Sequence, residues 1–267
     1  MATKIETISN YEDEHGNRIE CPDGFSAAGP FTIRGKNNVL RIADGSRLQR
    51  LLGSFDGNGG LIEIGGNPRS GAPSLNIRCG GGSAVRIGED LSTTATAFIS
   101  AVEGATVTIG RDVMMASDNQ IRADDAHPIY DVRTKKRANP ARDITIGDHV
   151  WLGFSAVVLG GSTVGSGSVV GFRALVSGSL PNNVVAAGIP AKVVKRHVAW
   201  ERPHLSLNAD RFKPNGLPTT ISAEYWELTS EAETPRIKAP IAKAVAPGKR
   251  LRHAAGRLAR RMGLRRS

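Results

Sequence analysis

Apolar residues in the second half of the chain recur with a period of six. The repeat occupies Ile146, Leu152, Val158, Val164, Val170 and Val176. A mostly small residue follows the first five of these by four positions, at Val150, Ala156, Ser162, Ser168 and Ala174. A period of six fits neither an α-helix nor an uninterrupted strand, whose periods are about 3.6 and 2. The pattern predicts short strands joined by corners, with coils of about 18 residues, which is a parallel β-helix.

The pattern is weaker upstream and is interrupted once, which sets the predicted boundaries. We predict a β-helix domain over residues 35–190, preceded by an N-terminal segment over 1–34. Residues 128–143 break the period and are polar and basic, so we expect a loop that protrudes from the coil. Residues 191–200 have helical spacing and predict a short C-terminal helix that caps the open end. The predicted fold class is therefore all-β.

The net charge of +10 is concentrated at the C-terminus. Residues 249–267 contain eight lysines and arginines and no acid, which leaves a net charge of about +2 for the rest of the chain. The body therefore lacks a strongly basic surface, and we expect no nucleic-acid partner. The tail is either a basic amphipathic helix for peripheral membrane contact or a solvated extension. Residues 201–248 are predicted to form an irregular extension and a linker rich in Pro and Ala.

The remaining composition bears on location. No apolar run reaches the ~20 residues of a membrane-spanning helix, and the N-terminus lacks the pattern of a secretory signal. The two cysteines, Cys21 and Cys79, are too few for a disulfide framework. These features predict a cytoplasmic protein whose basic tail is its candidate contact with the inner face of the membrane.

Three segments of the chain carry a family resemblance. They are DDAHPIYD at 124–131, NPARDITIGDHVWLG at 139–153 and AAGIPAKVVK at 186–195. In these motifs the sequence resembles the hexapeptide-repeat, left-handed β-helix acyltransferases, in particular the cell-surface polysaccharide O-acetyltransferases and the maltose and galactoside acetyltransferases. The resemblance implies a left-handed coil, a homotrimer, and transfer of an acetyl group from acetyl-CoA to a sugar hydroxyl in polysaccharide biosynthesis. It leaves the acceptor sugar undefined and an amino acceptor open.

His127 lies at the start of the segment that breaks the period. An imidazole titrates near neutral pH, so a histidine with a nearby carboxylate is a usual general base. The resemblance implies that His127 removes the proton of the acceptor hydroxyl. Asp125 matches the acidic position of the family and either fixes the imidazole tautomer or caps the loop. Asp124 is a competing candidate for the first role.

The resemblance also implies that acetyl-CoA binds along an edge shared by two subunits. The matching positions are Trp151, Gly153, Phe154, Gly171, Phe172, Ser177, Lys192 and Lys195. The first three would flank the thioester, the next three would line the pantetheine arm, and the two lysines would meet the phosphates. A backbone N–H near Gly153 or Phe154 would stabilise the oxyanion, and no metal is implied. Otherwise Trp151 packs on a neighbouring subunit and the lysines lie on a solvated helix face.

Two of these positions depart from the family pattern. Phe154 and Phe172 stand where relatives usually have small or polar residues, so the rings narrow the path of the arm, stack on it or select another acyl group. They favour an alternative function, a non-catalytic β-helix scaffold of a membrane-associated polysaccharide assembly. The intact His127 argues against that alternative. We interpret His149 as structural.

Overall fold

The computed structural model describes residues 2–204 and 224–231, and the regular elements within these ranges are all β-strands. The first twelve strands are β1 (Ala2–Ile8), β2 (Tyr11–Glu12), β3 (Arg18–Glu20), β4 (Ala27–Arg34), β5 (Val39–Ile42), β6 (Arg50–Asp56), β7 (Leu61–Ile64), β8 (Ser74–Cys79), β9 (Ala84–Ile87), β10 (Ser92–Thr93), β11 (Ala97–Ala101) and β12 (Thr106–Ile109). They continue as β13 (Met114–Met115), β14 (Gln120–Arg122), β15 (Ile144–Ile146), β16 (Trp151–Leu152), β17 (Val157–Leu159), β18 (Thr163–Val164), β19 (Val169–Val170), β20 (Leu175–Val176), β21 (Ser179–Leu180), β22 (Val184–Ala187) and β23 (Lys192–Arg196). In these ranges no helix is long and apolar enough to cross a membrane.

The strands form three sheets, which are the faces of a three-sided coil. Face A has the order β1-β4-β6-β8-β11-β14-β17-β20, face B the order β2-β3-β5-β7-β9-β12-β15-β18-β21, and face C the order β10-β13-β16-β19-β22-β23. Neighbours pair in parallel except β1 with β4, β2 with β3 and β22 with β23. From β8 onward the chain runs from face A to B to C, and we name the corners the A–B, B–C and C–A edges. The prediction of an all-β parallel β-helix is confirmed, and the arrangement is consistent with the expected left-handed coil.

The residues of the six-residue repeat fill the interior of the coil. Buried residues of this repeat include Ile146, Leu152, Val158, Val164 and Val170. Ser162 Oγ donates to the carbonyl of Val176 at 3.1 Å and Ser168 Oγ to that of Pro181 at 2.9 Å, so these buried hydroxyls are satisfied. Burying one Val or Leu side chain contributes about 1.5–3 kcal/mol, so the repeat is a main source of the stability of the scaffold.

Glycine at a corner lets successive coils stack closely. A Cβ at Gly88 would lie 2.6 Å from the carbonyl carbon of Gly110 and 2.7 Å from its oxygen in the next coil. Both are backbone atoms, so no flexible side chain can move to make room. The stacking distance itself therefore excludes a side chain at this position.

The coil begins earlier than the predicted boundary at residue 35. β3 pairs in parallel with β5 and β4 with β6, so most of the segment 1–34 already belongs to the stack or borders it. Glu63 and its partner Arg86 in the next coil are 23 residues apart, whereas Thr145 and Thr163 are 18 apart. The longer N-terminal coils hide the period of six that the C-terminal coils display.

The predicted helix over 191–200 is wrong. This segment contains β23, which pairs antiparallel with β22 on face C. The last strand of a coil exposes free backbone N–H and C=O groups, and an added strand satisfies them where a helix does not. The β-branched Val193 and Val194 also favour a strand. The open edge of β22 therefore outweighs the helical spacing.

A second C-terminal segment, residues 224–231, packs on the B–C edge. Asn182 Nδ2 donates to the carbonyl of Leu228 at 3.1 Å, and the N–H of Ser230 donates to Asn182 Oδ1 at 2.7 Å. Most of the predicted extension over 201–248, and all of the basic tail over 249–267, lie outside the described residues.

Candidate active site

The loop that carries His127 leaves and re-enters the coil at the A–B edge. Thr108 on β12 pairs with Thr145 on β15, 37 residues later, whereas the step from Thr145 to Thr163 takes 18. The chain thus inserts a loop, residues 123–143, into one corner, and we call it the His127 loop. His127 itself is exposed.

His127 sits in a tight backbone turn. Its N–H donates to the carbonyl of Asp125 at 2.7 Å, and Ala126 between them has a φ of 63°. A residue with a Cβ adopts this left-handed conformation only at some cost. The carboxylate of Asp124 accepts the N–H of Ala126 at 3.0 Å. The surrounding contacts therefore hold the turn in a conformation that the chain alone would not favour.

Asp124 joins this turn to face A. It is buried, its Oδ2 accepts from Ser100 Oγ at 2.5 Å, and Arg78 Nη1 lies 3.4 Å from its Oδ1. Arg78 also contacts Asp56 at 2.7 Å. Burial opposes ionisation of Asp56, but hydrogen bonds from Arg78 and Ser54 hold its pKa below the ordinary value. A network of charges and hydrogen bonds thus fastens the start of the loop to the scaffold.

The carboxylate of Asp125 contacts Asn139. Asn139 Nδ2 donates to Asp125 Oδ2 at 2.9 Å and to the His127 carbonyl at 2.9 Å. In the part of the chain that the structure describes, the His127 imidazole makes no hydrogen bond. Of the two roles considered for Asp125, the contact seen within one chain is the loop contact.

Glu103 ties the returning half of the loop to the preceding coil. Arg137 Nη2 donates to its Oε1 at 2.7 Å and the N–H of Ala141 to its Oε2 at 3.3 Å. These hydrogen bonds lower the pKa of Glu103 below its ordinary value. The loop exposes the large apolar side chains of Ile129, Tyr130 and Val132.

The aromatic residues expected to flank the donor lie at another edge. Phe154 and Phe172 occupy successive corners of the C–A edge, and their rings stack with centroids 4.9 Å apart. Phe172 is 66% exposed, and the guanidinium of Arg173 lies 5.5 Å from its ring centroid. The rings therefore lie on the outside of the edge and do not fill the interior of the coil.

Of the two backbone donors considered for the oxyanion, Gly153 is already used. Its N–H donates to the carbonyl of Val170 at 2.8 Å, as the N–H of Gly171 does to Ala186 at 2.7 Å. A Cβ at Gly153 would lie 2.9 Å from the Val170 oxygen, so stacking explains the glycine. The N–H of Phe154 makes no hydrogen bond within the described ranges. It is the donor available at this corner.

Trp151 faces outward from face C. It is 38% exposed, and its ring centroid lies 5.9 Å from that of Trp200. The paired positions of its outward column are Ser92, Met114, Trp151, Val169 and Val185. This column is mostly apolar, which suits packing against a second apolar surface.

Ser177 and Lys192 line a groove of about 330 Å³ at the C-terminal end of the coil. Val176, Leu180 and Pro190 give the groove an apolar lining. Lys195, farther along β23, is exposed and is not part of this lining. The groove therefore brings together one predicted arm residue and one predicted phosphate ligand.

Within one chain the predicted site residues lie in three separate regions of the coil. His127 lies at the A–B edge, Phe154 and Phe172 lie at the C–A edge, and the groove lies at the end of the coil. A single prism does not bring the candidate base and the candidate donor surface to the same edge.

Comparison with known proteins identifies the family, although no family model matches the chain. Over 157 residues it is 32% identical to the putative lipopolysaccharide biosynthesis O-acetyl transferase WbbJ of Escherichia coli K12, which covers 54% of this chain and 79% of WbbJ. The crystal structure of the polySia-specific acetyltransferase NeuO shares 37% identity and a TM-score of 0.66, over 70% of this chain and 86% of that chain. The chain belongs to the hexapeptide-repeat O-acetyltransferases.

The match to a further relative in this family covers less than half of that relative. The polysialic acid O-acetyltransferase of Escherichia coli O1:K1 / APEC is 38% identical over 121 residues, which are 45% of this chain and 39% of that protein. The match thus spans about two fifths of that curated relative.

In this hexapeptide-repeat O-acetyltransferase, His149 packs at the B–C edge. Its ring stacks between Trp200 at 4.1 Å and Tyr225 at 4.5 Å. Its Nδ1 lies 2.5 Å from Asp112 Oδ2 and its Nε2 3.0 Å from the Trp200 carbonyl. Burial opposes ionisation of Asp112, but the hydrogen bond to His149 and the charge of Arg202 hold its pKa below the ordinary value. These contacts fasten the C-terminal segments to the coil.

Asn139 opens the second family motif, but nothing in the sequence alone indicates a role for its side chain. The feature that indicates its contact with the His127 turn is the topology of the loop. Because the His127 loop leaves and re-enters the coil at one corner, residues near its two ends lie close together, and Asn139 is twelve positions after His127.

Proposed function

We propose that this chain transfers the acetyl group of acetyl-CoA to a hydroxyl of a cell-surface saccharide, with His127 as the general base. The observation that supports this most is the His127 turn. An exposed imidazole sits on a backbone that Asp124 and Asn139 hold by hydrogen bonds, at one edge of a stiff scaffold. Relatives named as O-acetyltransferases support the reaction class.

In the proposed reaction, a ring nitrogen of His127 takes the proton of the acceptor hydroxyl as its oxygen attacks the carbonyl carbon of the thioester. The C–S bond then breaks, the acetyl ester forms, and the imidazolium returns the proton to the departing CoA sulfur. Proton and charge balance without a covalent enzyme intermediate. Because the ring is exposed, an acceptor can approach it from solvent.

The C–A edge is the proposed surface for the thioester end of the donor. The N–H of Phe154 is available to stabilise negative charge on the thioester oxygen. The exposed ring of Phe172 offers apolar surface to the pantetheine arm. The groove lined by Ser177 and Lys192, with Lys195 nearby on β23, would receive the phosphate end.

A homotrimer would unite the two halves of this site. Within one chain His127 and Phe154 lie on different edges, so the base of one copy must meet the C–A edge of a neighbour. The apolar column on face C, which includes Met114, Trp151 and Val169, supports close packing of copies. Size-exclusion chromatography with light scattering should give the mass of a trimer, and a monomer would contradict the shared site.

The charges of the His127 loop favour an anionic saccharide as the acceptor. Arg133 and Arg137 are paired with carboxylates, whereas Lys135 and Lys136 are exposed and make no ion pair within the described ranges. The relative from Escherichia coli O1:K1 / APEC is named for polysialic acid.

Since acetyl-CoA is a cytoplasmic metabolite, we place the reaction in the cytoplasm.

The test is release of the CoA thiol from acetyl-CoA with a panel of acceptors that includes polysialic acid oligomers, neutral galactosides and amino sugars. We expect transfer to a saccharide hydroxyl, and we expect His127→Ala to lower kcat by about 10²-fold or more. His15→Ala is the matched control, because His15 is exposed in the N-terminal region and lies 3.9 Å from Glu14. Unchanged turnover in His127→Ala would reject the base. No transfer to any acceptor would favour the non-catalytic scaffold.

A further inference from the structure

Asn139 spans the turn that presents His127. Its Nδ2 donates to Asp125 Oδ2 at 2.9 Å and to the His127 carbonyl at 2.9 Å, and its Oδ1 accepts the N–H of Ile129 at 2.6 Å. The side chain therefore contacts the chain before His127, at His127 and after it. Asn139 is half-buried, whereas Asp125, His127 and Ile129 are exposed.

A carboxamide suits this set of partners because it carries both donors and an acceptor. The two hydrogens of Nδ2 match two oxygen acceptors, and Oδ1 accepts from the N–H of Ile129 and, at 3.4 Å, from Arg137 Nε. A flipped amide would face two acceptors with an oxygen and a donor with an NH₂ group. The contacts thus fix the orientation of the side chain and require Asn at this position.

The two carboxylates before His127 have different partners. Asp124 bonds Ser100 and fastens the turn to face A, whereas Asp125 bonds Asn139 on the returning half of the loop. Asn139 is in turn held by Arg137, whose Nη2 donates to its carbonyl at 3.0 Å. The imidazole has no such support within the described ranges, so its position depends on the backbone that carries it.

We propose that Asn139 is a positioning residue for His127, and that Asp125 acts on His127 through the Asn139 amide and not by a direct bond to the imidazole. This inference rests on the proposed function of His127 as the base. A base that is misplaced by about 1 Å can lose about 10²-fold in rate, so a clamp on its backbone is a kinetic requirement. The Asp124 carboxylate holds the N–H of Ala126, and Asn139 adds hydrogen bonds to the residues on both sides of it.

The exchange of Asp125 for asparagine separates this role from a direct one. In the Asp125→Asn variant the new side-chain amide oxygen can still accept from Asn139, so we expect kcat within about threefold of wild type. Asp125→Ala and Asn139→Ala both break the clamp, so each should lower kcat by about 10- to 100-fold with little change in the KM for acetyl-CoA. The double Ala variant should be no slower than the worse single variant, because both substitutions remove the same contact.

A direct carboxylate–imidazole bond makes the opposite prediction. In serine proteases the Asp→Asn change in such a pair costs about 10⁴-fold in kcat because it selects the wrong tautomer. A loss of about 10²-fold or more in Asp125→Asn, together with a shifted acid limb of the pH profile of kcat/KM, would therefore overturn the proposal. So would wild-type kcat in Asn139→Ala, or a raised KM for acetyl-CoA with unchanged kcat.

The clamp can also be measured without turnover. Amide hydrogen exchange at Ile129 should be about tenfold faster or more in Asn139→Ala than in wild type, because its acceptor is removed. Asn10→Ala is the matched control: Asn10 Oδ1 also accepts a backbone N–H, that of Cys21 at 2.9 Å, far along the chain from the loop. Unchanged exchange at Ile129 overturns the clamp alone. A wild-type chain that transfers acetyl to no acceptor overturns the proposed function, and the positioning role with it.

Discussion

Removing the carboxylate of Asp124 tests how firmly the His127 loop is fastened to face A. Asp124→Ala deletes the acceptor of Ser100 Oγ, at 2.5 Å, and of the Ala126 N–H, at 3.0 Å. The two donors differ in their access to water. Ser100 is 1% exposed and lies on β11, whereas Ala126 is exposed in the loop. The buried hydroxyl of Ser100 is therefore left without a hydrogen-bond partner, whereas water can replace the partner of the Ala126 amide.

The magnitude follows from this difference. A buried donor left without a partner costs about 1–3 kcal/mol, whereas water replaces a partner at an exposed site. Arg78 is about a third exposed and keeps Asp56, so the loss of its contact with Asp124 adds only about 0–1 kcal/mol. We expect the free energy of unfolding to fall by about 2 kcal/mol in Asp124→Ala, most of it from the stranded hydroxyl of Ser100.

Urea denaturation of wild type, Asp124→Ala, Ser100→Ala and the double variant measures this effect. The double variant has no stranded hydroxyl, so its destabilisation should be smaller than the sum of the single effects by about 1–2 kcal/mol. A coupling energy below about 0.5 kcal/mol would refute the buried network, because independent sites usually add within that range.

Two more predictions concern the anchor of the loop and the stacking of the coils. The hydrogen bonds from Arg137 and Ala141 lower the pKa of Glu103 below 4.5, so this anchor is present above that pH and is lost as pH falls through the lowered pKa. Cleavage of the loop by an acid protease should accelerate on acidification. In Glu103→Ala, which has no acceptor for Arg137 or Ala141, cleavage should be fast at every pH. Equal pH dependence of the two proteins would contradict this anchor. Gly88→Ala should lower the free energy of unfolding by about 1–3 kcal/mol or more, because its Cβ would lie 2.6 Å from backbone of Gly110, and an unchanged urea midpoint would count against tight stacking.

The regular coils could be predicted because their corners repeat in the sequence. From Ile146 to Val176 every sixth residue enters the interior, and the spacing alone defines strands and corners. The N-terminal coils could not be delimited, because a step such as that from Glu63 to Arg86 takes 23 residues and has no fixed corner length. The helix predicted over 191–200 was wrong because the spacing of apolar residues carries no information about the open edge of β22.

The candidate site could be predicted only where a single residue stands out from the sequence pattern around it. His127 stood out because the residues after it break the period. The partners of Asp124 and Asp125 could not be assigned, because adjacent carboxylates in a loop are equivalent until the backbone is known. The positive φ of Ala126 and the return of the loop to the same corner decide that one contacts Ser100 and the other Asn139.

The 37-residue step from Thr108 to Thr145 has a consequence for how such a chain can change. β12 and β15 pair as if the intervening loop were missing, so insertions or deletions within it leave the ladder of backbone bonds intact. A foreign segment inserted between Ile129 and Ala138 would keep His127, Asp124 and Asn139 and would change the surface beside them without a new folding problem. In this architecture, changes in the protruding part of the loop and preservation of the paired strands are uncoupled.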